Sequence, residues 1–158
     1  MVETMFHSLV QDFCHQMDIP PVDPDENGYY SFVLHGQIEV NVEFDEERRN
    51  VLLFSSPGSI EAGVSKALLK EFLEENLYRT EHQPCMALVE EMVMLVTEFS
   101  VEVADSERLN DKLGGICDAW IYWQQRMEAS EQEVEPKSHL YIPPLEENSL
   151  AQFLRYRV

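Results

Sequence analysis

The chain predicts an α+β fold: a two-layer sandwich in the order helix-β-β-β-helix-β-β-helix, with a mostly antiparallel twisted sheet. Three patterns carry that expectation. Residues 3–17 repeat apolar side chains at helical spacing, residues 29–54 alternate apolar and polar side chains like strands, and a long helical pattern follows residue 105. In the first helix Phe6, Leu9, Val10, Phe13 and Met17 fall on one stripe, and Glu3 suits the positive end of the helix dipole. Pro20, Pro21 and Pro24 stop that helix, and Asn27-Gly28 supplies a turn into the first strand.

Tyr29–Leu34 and Ile38–Phe44 predict a hairpin, and the alternation fixes its register. Ile38, Val40, Val42 and Phe44 alternate strictly with Gln37, Glu39, Asn41 and Glu43. A two-residue turn at His35-Gly36 would set Phe32 across from Glu39 and mix the faces. A three-residue loop, His35 to Gln37, pairs Leu34 with Ile38, Phe32 with Val40 and Tyr30 with Val42, so the three-residue loop is expected. The Asp45–Asn50 turn leads to a third strand, Val51–Ser55, which Pro57-Gly58 is expected to end.

Residues 61–78 predict a second helix with Val64, Ala67, Leu68, Phe72 and Leu73 on its buried side and Lys66, Lys70, Glu71 and Glu74 outside. Cys85–Val89 and Met92–Phe99 predict two strands around Glu90-Glu91, the second apolar enough to be central or at an interface. Asp105 or Ser106 caps the third helix, whose apolar positions are Leu109, Leu113, Ile116, Cys117, Trp120, Ile121, Trp123 and Met127. Gly114-Gly115 in its middle costs about 1 kcal/mol per glycine against alanine, which points to close approach of another backbone. These features divide the chain into a domain over residues 1–132 and an acidic, proline-marked linker and C-terminal tail over 133–158.

Charge narrows the function. Thirty Asp and Glu against eleven Lys and Arg give a net charge of −19, spread along the chain, which disfavours nucleic acid and anionic membrane as partners. With 44% hydrophobic residues the chain is too apolar for a disordered acidic tail, so a core must form beneath the charge. The N-terminus lacks a basic leader followed by a long apolar run, and no stretch is long and apolar enough for a membrane span, so a cytoplasmic location and no membrane insertion are expected. Cys14, Cys85 and Cys117 lie in apolar patterns, as reduced core cysteines do.

Chemistry is weakly signalled. His82-x-x-Cys85 and Cys14-His15 each lack a second ligand pair, no loop has the glycine pattern that cradles phosphate, and the paired carboxylates lie on predicted turns or wet helix faces. No catalytic residue, metal or cofactor is expected, and a binding function is. Phe6, Val10, Phe13, Tyr30, Phe32, Leu34, Val40 and Val42 are the candidate partner-binding residues, because a short first helix is expected to cover only part of the first three strands. Ile116, Trp120 and Trp123, which follow the glycine pair on the third helix, and Val93 and Leu95 of the apolar strand are the candidate interface of a homodimer.

Over residues 3–131 the chain resembles the class I chaperones of bacterial type III secretion, the Tir-chaperone family. The resemblance rests on Leu9, Phe13, the Asp25-Glu26-Asn27-Gly28 step into the first strand, the Phe32-x-Leu34 and Val40-x-Val42 alternation, and the late long helix. It implies a homodimer joined through the late strands and last helix, without an ATP site. Such a dimer binds the N-terminal chaperone-binding region of a secreted effector and keeps it extended and export-competent. The secretion ATPase is then a further candidate partner. A second reading is a regulatory binding protein of the same fold that titrates a secretion regulator or its inhibitor. Residues 133–158 have no counterpart in the family pattern.

Overall fold

Helix α1 (Val2–Gln16) starts the chain, strands β1 (Tyr30–Leu34), β2 (Ile38–Asp45) and β3 (Asn50–Ser59) follow, then helix α2 (Lys66–Tyr78), strands β4 (Cys85–Val89) and β5 (Met92–Ser100), and helix α3 (Ser106–Gln132). The computed structural model describes residues 2–60 and 66–132. The expected segment at 61–65, including Val64, and the expected tail at 133–158 lie outside the described residues. The five strands form one antiparallel sheet in the order β1-β2-β3-β5-β4. After β3 the chain crosses through α2 to β4 at the far edge and returns as β5 between β4 and β3, so β5 lies inside the sheet and β1 and β4 are its edges.

The β1–β2 register is the one that the alternation requires, with Leu34 opposite Ile38, Phe32 opposite Val40 and Tyr30 opposite Val42. The loop reverses the chain through His35 and Gly36, both at positive φ. The third strand runs further than expected. Pro57 and Gly58 do not end it but sit in a bulge between Ser55 and Gly58, where a residue without a ladder donor is tolerated. The Ser56 carbonyl freed there accepts the Trp120 indole N–H at 2.8 Å.

One face of the sheet carries the helices. Phe6 meets Tyr30 edge-on and Phe13 meets Phe32 edge-on, with ring centroids 5.3 and 5.5 Å apart, so α1 lies over the β1–β2 hairpin. Leu109, Leu113, Ile116, Trp120 and Trp123 of α3 are buried with Val51, Leu53, Val93 and Leu95 of the sheet. Asp105 caps α3, its carboxylate accepting from the Arg108 N–H at 2.7 Å. Phe72 of α2 packs against Trp123 at 4.7 Å, and the Arg126 guanidinium forks onto the Glu71 carboxylate at 2.8 and 2.7 Å, fastening α2 to α3.

The close backbone approach predicted at the glycine pair occurs at Gly115 and comes from this chain. A Cβ there would run into the carbonyl oxygen of His82, whereas a Cβ on Gly114 would meet nothing. The loop from Arg79 to Pro84 is thus seated on α3, and Lys112 Nζ holds it by donating to the Glu81 carbonyl at 2.7 Å.

Several side chains sit differently from expectation. Met17, placed on the first helix's stripe, is half exposed because the helix ends at Gln16, and Ile121 on α3 is partly exposed. Ala67 and Leu73 face solvent, because only Leu68 and Phe72 of α2 turn inward. All three cysteines are free thiols; Cys14 and Cys117 are buried, whereas Cys85 is half-buried. Burial and then the Asp118 charge push the Cys117 thiol pKa up.

Candidate protein-binding faces

The step Asp25-Glu26-Asn27-Gly28 is a turn built around one carboxylate. Asp25 accepts the N–H of Asn27 at 2.8 Å and that of Tyr29 at 2.9 Å, while Gly28 takes the positive φ that closes the turn. The Tyr29 N–H is the main reason that the Asp25 carboxyl titrates below the ordinary aspartate range, desolvation opposing it and Asn27 and Gly28 adding to it. This turn delivers Tyr30 inward, where its hydroxyl shares a 2.6 Å hydrogen bond with His7 Nδ1 of α1. Clefts of about 560 and 740 Å³ flank α1. The smaller lies beside His7, Tyr29 and Phe44; the larger runs between Met5, Ser8 and Asp12 of α1 and the start of α3.

The residues expected to meet a partner are mostly beneath this face. Phe6, Val10, Phe13, Tyr30, Phe32, Val40 and Val42 are each no more than 5% exposed, and Leu34 is partly buried against the same cluster. The first helix covers the hairpin more completely than its length suggests, since aromatic side chains from both elements interlock. The apolar side chains left exposed in this part of the chain are Met5 of α1, Met17 and Ile19 just after it, and Val33 of the edge strand β1. Val33 belongs to the opposite alternation from Phe32, and that phase marked it for the open face of the sheet.

The residues expected at a dimer interface are also interior. Val93, Leu95 and Ile116 are fully buried, and Trp120 and Trp123 are buried with their rings committed to Ser56 and Phe72. A second copy cannot reach them without opening this chain's core. The apolar surface that does lie open is on α2 and β4. Leu69, Leu73 and Leu77 form a stripe at four-residue spacing on α2, and Tyr78 at its end and Leu88, Val89 and Met92 of the β4–β5 hairpin are exposed as well. Leu73, Leu77 and Tyr78 are each more than 70% exposed, which is unusual for side chains of that size on one helix. The sequence held that signal, because Leu68 and Phe72 form one helical stripe and Leu69, Leu73 and Leu77 a second.

At Met86 the outer edge of β4 is closed. The Asn76 carboxamide donates to the Met86 carbonyl at 2.8 Å and accepts its N–H at 2.7 Å, as a neighbouring strand would. Among the described residues, no group of three or more His, Cys, Asp or Glu is placed to hold a metal, and no helix is long and apolar enough to cross a membrane.

This architecture, with one helix before a three-stranded meander and another crossing to a second hairpin, has counterparts. The Tir chaperone protein (CesT) family matches residues 8–124, well over half of the chain. The chain belongs to that family. Among curated proteins none matches this family member by sequence. Among solved structures it is similar to the HopA1-SchA chaperone-effector complex, at 17% identity and a TM-score of 0.66 over 78% of this chain and 95% of that one. The ExsC-ExsE complex gives 18% identity and a TM-score of 0.66, over 78% and 93%. The Yersinia pestis type III secretion chaperone SycH, in complex with a fragment of YscM2, gives 18% and 0.63, over 74% and 98%. At such identities the likeness is one of fold.

Proposed function

We propose that this member of the Tir chaperone protein family binds the N-terminal region of a type III secreted effector as an extended segment and keeps it export-competent, acting without catalysis, metal or cofactor in the cytoplasm. The observation that carries the reading is the unpaired edge of β1, with a cleft between α1 and the start of β1 on one side of it and the exposed Val33 on the open face of the sheet on the other. An extended chain satisfies its backbone on such an edge and seats side chains in the cleft. Phe6, Phe13, Tyr30 and Phe32 then serve as the floor beneath the contact rather than as its surface. A net charge of −19 keeps a protein with open apolar faces soluble and draws in basic clients.

The same reading includes a homodimer. A helix that is apolar on two sides has two partners, and α2 uses only one of its sides inside this chain. A second copy is the occupant proposed for the Leu69–Leu73–Leu77 stripe.

Purification of the full chain from its native host tests the client. A larger secreted protein should accompany it, retained through that protein's N-terminal region, and Val33→Asp should release it while leaving the circular dichroism spectrum unchanged. Recovery of a small cytosolic regulator in its place would favour the titrating role, and recovery of neither would overturn the chaperone reading.

A further inference from the structure

β5 outruns its edge neighbour. Pairing with β4 stops at Val96 opposite Cys85, yet pairing with β3 on the other side continues through Ser100 opposite Asn50. Thr97 to Ser100 therefore have a strand on one side only. β4 cannot extend to cover them. Pro84 has no N–H to donate to the ladder, and the loop before it is drawn away onto α3 by the Lys112–Glu81 hydrogen bond and the His82–Gly115 contact. The Val101 N–H reaches the Arg49 carbonyl at 3.0 Å on the β3 side, so by alternation Glu98 and Ser100 turn their backbone groups toward the gap.

That gap is a cavity of about 870 Å³, and its charge is opposite to the rest of the molecule. Arg48, Arg79, Arg108 and Lys112 line it against the carboxylates of Glu81 and Glu98. Half of the described Lys and Arg thus converge on one notch in a chain of net charge −19. Arg48 lies 3.7 Å from Asp45 and 4.0 Å from Glu98, but among the described residues Arg79 and Arg108 make no ion pair. Lys112 is buried beside them. Its burial, offset by Glu81 and reinforced by Arg108 and Arg79, holds the ammonium below the ordinary lysine pKa. Glu81 and Glu98 offset two of these four cations, and the excess that remains favours a further anion.

We propose that this notch receives an extended acidic segment of a partner protein, which adds as a short strand to Thr97–Ser100 of β5 and sets its carboxylates against Arg79, Arg108 and Lys112. Four residues in strand conformation span about 13 Å, and strand addition needs only an open edge and room for alternate side chains. The notch lies at the far end of the sheet from β1, so it is separate from the proposed effector face and its test can fail without touching that reading.

The probe is a capped octapeptide alternating glutamate and valine, with a lysine–valine octapeptide as control, both fluorescently labelled and titrated against the full chain. The acidic peptide should bind and the basic one should not. Arg79→Glu with Arg108→Glu should weaken binding about tenfold or more, and the milder Arg79→Gln with Arg108→Gln should weaken it in the same direction. The backbone amides of Glu98 and Ser100 should gain protection from hydrogen exchange when the acidic peptide is present. The proposal is overturned by absence of binding at millimolar peptide, or by binding that ignores both double variants. Competition by inorganic phosphate without amide protection would show a simple anion pocket and overturn it too. So would amides of Glu98 and Ser100 already protected in the free full chain, because the notch would then be filled by the chain itself or by a second copy.

Discussion

Gly114 and Gly115 are adjacent in the same helix and face opposite constraints. A methyl group on Gly114 meets nothing, so Gly114→Ala should stabilise the fold by up to about 1 kcal/mol through helix propensity alone. On Gly115 the same methyl strikes the His82 carbonyl, and the Arg79–Pro84 loop must shift. Gly115→Ala should therefore destabilise by about 1 to 3 kcal/mol despite its better propensity. Urea midpoints of the two variants against the parent chain measure the contrast, and equal gains for both would mean that the loop yields freely. At this scale the sequence was half legible. Two helix-interior glycines announced a close contact, but only the fold shows that one of them makes it and that the neighbour is this chain's own loop. Burial was less legible, because period-2 and helical patterns say which residues share a face and not whether something covers it. Phe6 and Phe32 share the face expected of partner contacts, and the aromatic interlock between α1 and the hairpin hides both.

Elements were read best where a slip would be costly. The β1–β2 register was fixed by the alternation because shifting it by one residue would turn Val40 and Val42 to water, and the observed pairs agree. β3 runs past Pro57 and Gly58, since proline and glycine stop a regular strand but also build a bulge, and a linear pattern does not separate the two. For α2, two apolar stripes one residue apart blur the inward side, and Leu73 belongs to the outward one. What orients α2 is polar and invisible to an apolar pattern: the Glu71–Arg126 fork to α3 and the Asn76 bracket on Met86. The fork makes a pH prediction. Arg126, through its hydrogen bonds first and its charge as well, holds the Glu71 carboxyl below 4.5 against a partial desolvation. A carboxyl lowered in the fold stabilises fully above its unfolded pKa and loses that contribution as pH falls through the folded one. Because the Glu71 side chain remains 33% exposed, solvent screening limits the effect, and Glu71→Gln should cost about 0.5 to 1 kcal/mol at neutral pH. The difference between variant and parent in urea denaturation should shrink and close as the pH falls below the ordinary glutamate range. A difference that persists undiminished in acid would assign the loss to packing instead of charge.

The whole molecule leaves two apolar regions open at opposite ends of its sheet, one around the β1 edge and one along α2 and β4, and they cannot both be explained by the same partner bound once. An extended client needs an edge with free backbone groups, which β1 has; β4 is closed at Met86 by Asn76. A rigid helical stripe needs a matching surface, which a second copy supplies by symmetry, each α2 offering the other the same leucines. Burying an exposed leucine in such an interface is worth up to about 1.5 to 3 kcal/mol before association costs, so Leu69, Leu73 and Leu77 from two copies would supply the main apolar drive for a dimer. Leu73→Glu should place two like charges near the symmetry axis and produce a folded monomer in sedimentation velocity, while Trp123→Glu, whose ring is buried against Phe72, should unfold the chain. The opposite pattern, with Leu73→Glu still dimeric and Trp123→Glu a folded monomer, would return the interface to α3 as the glycine pair first suggested.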